Sequence, residues 1–117
     1  MKTLIIDDNQ DIRTAISMIL KENGGHEILM AEDGEMAIQI LKENGDINLV
    51  ITDMDMPKMD GLAVLREMKT SGYKAKRWFM SGYISPELEK KALELGADVA
   101  VSKAQITQTL REKGIIG

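Results

Sequence analysis

The chain has 117 residues, 44% hydrophobic and 29% charged, with a formal net charge of −4 and no cysteine. That is room for one domain large enough to bury a core, and it excludes a disulfide scaffold or a thiolate metal site. The acidic balance argues against nucleic acid or an anionic membrane as the direct partner, and no apolar run reaches membrane-spanning length. Met1 to Ile6 is too short for a signal peptide and leads straight into two acids, so a soluble cytoplasmic domain is expected.

The first strand is expected at Lys2 to Ile6, ending at Asp7-Asp8. Ile12, Ala15, Ile16, Ile19 and Leu20 then recur at helical spacing, and Gly24 is read as the stop. Glu27 to Ala31 gives a short second strand. Asp33 caps a second helix that carries Met36, Ala37, Ile40 and Leu41 and stops at Gly45. Leu49 to Asp53 reads as a fully buried, parallel strand running into an acid. A loop through Pro57 follows, then a helix from Gly61 to about Ser71 with Leu62, Leu65 and Met68 inward. Lys76 to Met80 is the fourth strand, ending at Ser81-Gly82; Trp78 and Phe79 are expected to pack under helices. Ser85-Pro86-Glu87 starts a helix carrying Leu88, Ala92 and Leu95, closed by Gly96. Asp98 to Ser102 is the fifth strand, followed by Lys103 and a short last helix with Ile106 and Leu110.

Five β/α units use the whole chain, so we expect a single domain over residues 1–117 with no output domain visible. Alternating elements imply an α/β fold with helices on both faces of a doubly wound, five-stranded parallel sheet. The flavodoxin-like strand order 2-1-3-4-5 suits five strands. In that order Asp7, Asp8, Asp53, Ser81 and Lys103 share one crevice at the carboxyl ends of the strands, where such sheets bind ligands.

Asp53 alone reads as a nucleophile, a metal ligand or, by default, a helix cap. Three crowded carboxylates call for compensation, and Mg²⁺ suits a site of few carboxylates and several waters. Lys103 adds a fixed positive charge, Ser81 a hydroxyl and Gly82 a sterically open amide. Together they make a cradle for a tetrahedral anion, which is most of what phosphoryl transfer requires. Asp53, central in the crevice, is the candidate nucleophile, and its product would be an acyl phosphate. Asp7-Asp8 is read as metal-binding, with Asn9 and Asp11 competing to cap the first helix. The densest basic cluster is Lys74, Lys76 and Arg77, and the methionines are read mostly as core and loop filler. His26, the only histidine, follows Gly24-Gly25 and is expected on the surface, neither phosphodonor nor ligand.

Asp7-Asp8, Asp53 with Met56-Pro57-x-Met59-Asp60-Gly61, Ser81-Gly82 and Lys103 resemble, in order and spacing, the receiver domain of two-component response regulators. By that resemblance Asp53 is the phosphoacceptor. Asp8 is a direct Mg²⁺ ligand, Asp7 holds a metal-bound water, and Asp53 and the carbonyl of Asp55 complete the set. Ser81 and Lys103 would meet the phosphoryl group. The implied donor is a phosphohistidine on a sensor histidine kinase or a histidine phosphotransfer protein, docking near Gln10 to Ala15, and the downstream protein target is unknown. The only chemistry implied is self-catalysed transfer and autodephosphorylation, not turnover of a substrate. Asp55 and Tyr83 stand where the family tunes phosphoryl lifetime, Asp55 strengthening metal binding and Tyr83 screening the phosphoryl group from water.

Ala104 replaces the proline that usually follows the lysine, and Ala100 replaces the family's aromatic switch residue. Coupling of Ser81 to an aromatic flip therefore cannot operate in its usual form. Two further readings stand beside the receiver. Asp53-Met54-Asp55 resembles the Asp-x-Asp motif of haloacid-dehalogenase-like phosphatases, although their acidic pair comes last in the chain rather than first. A non-phosphorylated pseudo-receiver is the other.

Overall fold

Each apolar run that ends at a polar residue becomes a strand of one parallel sheet, in a computed structural model that describes residues 1–117. The strands are β1 (Lys2–Ile6), β2 (Glu27–Ala31), β3 (Leu49–Asp53), β4 (Lys76–Ser81) and β5 (Val99–Ser102). Between and after them come α1 (Gln10–Gly24), α2 (Gly34–Glu43), α3 (Gly61–Ser71), α4 (Pro86–Glu94), a 3-10 turn (Lys103–Gln105) and α5 (Ile106–Glu112). The strand order is β2-β1-β3-β4-β5, all pairs parallel, as the alternation of elements predicts.

The helix starts follow from side-chain chemistry. Asn9, Asp33, Asp60 and Ser85 each accept a hydrogen bond from the backbone N–H three residues on, with Pro86 following Ser85 at the first helical position. A cap of this kind stabilises a helix by about 1 kcal/mol. Asn9, not Asp11, caps α1, which leaves Asp7 and Asp8 free of that duty.

The pleat sends alternate strand residues to opposite faces. Ile5, Leu49, Ile51, Trp78 and Met80 meet Ile16 and Leu20 of α1 and Ile106 and Leu110 of α5. Leu4, Ile6 and Val50 meet α2 and α3 through Ala37, Ile38, Leu41, Val64 and Met68. Phe79 packs with Leu65, Ala92 and Ala97 beneath α3 and α4. β3 is buried at every position, which is why it carries no polar residue before Thr52.

Several expectations need correction. α1 runs through Gly24, and Gly25 (φ 63°) is the left-handed cap that ends it. α2 stops at Glu43 with Asn44, not Gly45, as its cap. In α2 the core-facing residues are Ala37, Ile38 and Leu41, while Met36 is exposed. β4 extends to Ser81, and β5 begins at Val99 rather than Asp98.

The largest correction is His26, which is buried. Its Nδ1 lies 2.8 Å from Thr3 Oγ1 and its Nε2 3.1 Å from the carbonyl of Ile115. A carbonyl can only accept, so Nε2 carries the proton and the Thr3 hydroxyl donates to Nδ1. The ring fits because residue 24 is glycine: a Cβ there would lie 2.5 Å from His26 Cδ2.

Candidate functional site

Strand register assembles the site. Asp53 pairs with Met80, Ile6 pairs with Thr52, and Ser81 pairs with Ser102. The residues at or just beyond those strand ends, Asp7, Asp53 and Lys103, therefore converge at one edge. A carboxylate oxygen from each of Asp7, Asp8 and Asp53 lies within 4.8 Å of the other two. Asp7 and Asp53 are buried and Asp8 is exposed, so the cluster opens to solvent through Asp8.

Lys103 Nζ bridges the two buried acids, 3.0 Å from Asp7 Oδ2 and 3.1 Å from Asp53 Oδ1. One ammonium does not saturate them. Asp7 Oδ2 and both Asp53 oxygens are buried without a well-directed hydrogen bond. Burial, reinforced by the charge of Asp7, pushes the Asp53 carboxyl up to about 6; Lys103 and the Asp55 backbone pull downward and lose. For Lys103, burial works against the ammonium, but contact with Asp7 and Asp53 outweighs it and the pKa is raised. Buried carboxylate oxygens that lack donors, facing an opening to solvent, are the donor set of a hard cation. The residues present thus fit Mg²⁺.

The Asp7 backbone and side chain are held from several directions. Its N–H donates to the Ala31 carbonyl at 3.1 Å, its Oδ1 accepts from the Asn9 N–H at 2.9 Å, and Arg13 Nη1 donates to its carbonyl. Sequence reasoning missed Arg13, whose only signal is a base one turn inside the first helix after two acids. It also read Gly61 only as the start of the helix after the loop. A Cβ on Gly61 would lie 2.3 Å from the Asp53 carbonyl oxygen and 2.9 Å from Met54 Cα. The Gly61 N–H donates to the Met54 carbonyl at 2.9 Å, so the loop after β3 is folded back on the strand it leaves.

The other expected residues take separate positions. Ser81 is buried at the end of β4, one residue beyond the partner of Asp53. Gly82 is open, with nothing within 4 Å of where a Cβ would be, and it borders a cavity of about 680 Å³ with Tyr83, Ala100 and Ser102. Asp55 is exposed in the loop, and the Tyr83 ring is 75% exposed, standing in solvent.

This arrangement has known counterparts. The chain matches the family model described as "Response regulator receiver domain" over residues 3–114. It is 34% identical over 105 residues to the "Probable chemotaxis protein CheY" of Rhizobium etli, covering 88% of this chain and 81% of that protein. It is 31% identical to the "Gliding motility regulatory protein" of Myxococcus xanthus, covering 91% of this chain. The chain spans only 14% of that protein and 30% of a "Cyclic di-GMP phosphodiesterase" of Thermotoga maritima. Among solved structures, the chemotaxis protein CheY4 of Vibrio cholerae superposes with a TM-score of 0.82 at 26% identity, covering 95% of this chain and 96% of that one. The receiver domain of the Francisella response regulator 1452 gives 0.86 at 25% identity, covering 96% and 91%. With the strand order, the acidic cluster and the bridging lysine all in place, the chain belongs to the response regulator receiver domain family.

Proposed function

We propose that this receiver accepts a phosphoryl group on Asp53 from a phosphohistidine of a sensor kinase or phosphotransfer protein, in a Mg²⁺-dependent reaction, and signals through protein contacts. The observation that carries the reading is the Lys103 bridge to Asp7 and Asp53, two buried carboxylates that one ammonium does not saturate. An Asp53 oxygen attacks phosphorus as the phosphorus–nitrogen bond breaks, and the imidazole leaves with a proton from solvent. With its carboxyl at about 6, Asp53 is ionised at neutral pH and is a competent nucleophile. Lys103 balances charge on the transferred group, and the Ser81 hydroxyl and the Gly82 N–H are its proposed donors. Asp8, Asp53 and the Asp55 carbonyl would hold Mg²⁺, with Asp7 alongside. When bound, the ion neutralises negative charge on the phosphoryl oxygens.

The test is intact mass after incubation with acetyl phosphate and Mg²⁺, beside Asp53→Ala. One labile phosphoryl adduct, absent in the variant and without metal, supports the proposal. Steady consumption of acetyl phosphate without an adduct points to a phosphatase or very rapid self-hydrolysis. Neither adduct nor consumption points to a pseudo-receiver.

A further inference from the structure

Residues 68–86 hold four bases and no acid, in a chain whose net charge is −4. Two of the four bases are engaged. Lys69 Nζ donates to the Glu94 carbonyl at 3.0 Å, and the Arg77 guanidinium donates to the Tyr73 carbonyl. Lys74 and Lys76 are exposed and take no part in the ion pairs of the chain, whose bases are Lys2 and Lys103. Both border a cavity of about 420 Å³ at the amino-terminal ends of β1, β3 and β4. The acidic cluster lies at the other ends of these strands, about 16 Å away.

The cavity is apolar within and rich in donors at its edge. Leu41 and Ile47 are buried in the core beneath α2 and α3, and Tyr73 and Ala75 pack half-buried against that core. All four line the cavity, together with the exposed Met1. The backbone at its base is already satisfied: the Asn48 N–H donates to the Lys2 carbonyl at 2.8 Å, and the Lys76 N–H to the Asn48 carbonyl at 2.9 Å. Asn48 Oδ1 accepts from the Lys2 N–H at 2.7 Å, which leaves its Nδ2 group to donate elsewhere. Acceptors that would repel an anion are covered. The Ile40 carbonyl near the end of α2 takes Asn44 Nδ2 at 2.9 Å, and the Met68 carbonyl near the end of α3 takes the Tyr73 N–H at 3.1 Å. Asp46, the acid beside the cavity, is paired with Lys2 at 3.0 Å.

From two unpaired ammonium groups bordering an apolar cavity we infer a binding site for a small aryl carboxylate, a flat apolar ring that bears one anionic group. The ring would lie against Leu41, Ile47 and Tyr73, where aromatic faces pack well in offset or edge-to-face contact. The carboxylate would meet Lys74, Lys76 and Asn48 Nδ2 in charge-assisted hydrogen bonds. The volume falls in the range of small-molecule sites, roughly 300–1,000 Å³. A lipid headgroup or a nucleic-acid phosphate would use the lysines and leave the apolar wall uncovered. The inference is independent of the phosphoryl chemistry, since no residue of the cavity belongs to the acidic cluster.

The experiment uses metal-free, unphosphorylated protein and the Asp53→Ala variant alike, so that failure of the phosphorylation reading leaves it unaffected. The probe is naphthoate, titrated while backbone amide NMR shifts are followed. Naphthylmethylammonium (the ring with the opposite charge) and acetate (the charge without the ring) are the controls. The double variant Lys74→Gln, Lys76→Gln is compared with Lys90→Gln, Lys91→Gln, which removes the same charge from exposed positions on α4. All four lysines are exposed, so both variants are expected to fold, and circular dichroism verifies it. The expected result is saturable binding of naphthoate with a dissociation constant below about 1 mM, with shifts centred on Asn48, Tyr73 and Ala75. Binding should weaken about fivefold or more in the Lys74, Lys76 variant, stay unchanged in the Lys90, Lys91 variant, and fall as salt rises. Equal binding by the two variants, equal affinity for either control, shifts centred elsewhere, or no binding at all would overturn it.

Discussion

Lys103 Nζ stands 3.1 Å from Asp53 Oδ1, although Asp53 ends β3 and Lys103 directly follows β5, with β4 between the two strands. The lysine is the only cation that contacts either buried carboxylate. Lys103→Met is therefore expected to destabilise the metal-free protein at pH 7.5 by about 2 kcal/mol, less than a fully buried pair because the ammonium is partly exposed. The loss should shrink toward pH 5 as Asp53 takes up a proton. Urea unfolding in chelator at the two pH values reads both effects.

The raised Asp53 carboxyl makes a signed prediction. Its folded-state value of about 6 lies above the ordinary 3.8, so the folded protein binds this proton more tightly than the unfolded chain. Its contribution to stability is greatest below pH 4, falls as pH rises to about 6, and remains unfavourable above that, by roughly 3 kcal/mol at most. Asp53→Asn removes the titration and keeps the shape. It should raise the melting temperature of the metal-free protein at pH 7.5, and the gain should vanish near pH 4. A scan of melting temperature against pH for both proteins decides it.

Divalent cation should have the opposite effect on the wild type. Mg²⁺ at 100 times its dissociation constant is expected to stabilise the fold by about 2.7 kcal/mol. The Asp53→Asn protein should gain less, since one carboxylate of the acidic cluster has lost its charge. Thermal shift against Mg²⁺ concentration, with Asp55→Asn in parallel, separates the two acids. Asp55 stands in solvent, so its substitution should weaken the ion without altering metal-free stability.

Gly61→Ala places a methyl group 2.3 Å from the Asp53 carbonyl oxygen, a contact that only backbone movement can relieve. We expect a stability loss of about 2 kcal/mol and a larger proportional loss in the rate of phosphorylation by acetyl phosphate. A variant that loses stability but keeps its full rate would show that the loop tolerates the shift without moving Asp53.

His26→Ala leaves the Thr3 hydroxyl and the Ile115 carbonyl without their side-chain partner inside the protein. A destabilisation of about 2 kcal/mol is expected, with the phosphorylation rate of the remaining folded protein unchanged. Denaturant unfolding and initial rates on the same preparation test the two halves.

What could be read from the sequence was local or set by periodicity. The apolar runs at Leu4 to Ile6 and Leu49 to Ile51, the caps Asp33 and Ser85, and the acids placed at strand ends all announce themselves within a few residues. What escaped depends on distant partners. His26 looks like a loop histidine because Thr3 and Ile115, 23 and 89 residues away, are invisible from its neighbourhood. Met36 fits the apolar stripe of α2 by spacing, yet it lies in the first turn and is exposed, while Ala37, Ile38 and Leu41 take the core. Gly61 reads only as a turn and helix start because sequence gives no measure of how closely one backbone passes another.

The pairing of Ser81 with Ser102 has a consequence for the protein during its synthesis. Lys103 lies 50 residues after Asp53, and β5 can join the sheet only after β4 is in place. A nascent chain that has already delivered Asp7 and Asp53 to the tunnel exit therefore lacks the one ammonium that contacts them. On the ribosome, or after proteolytic loss of β5, the two acids stand without their cation, and the cluster is complete only in a chain made through Lys103.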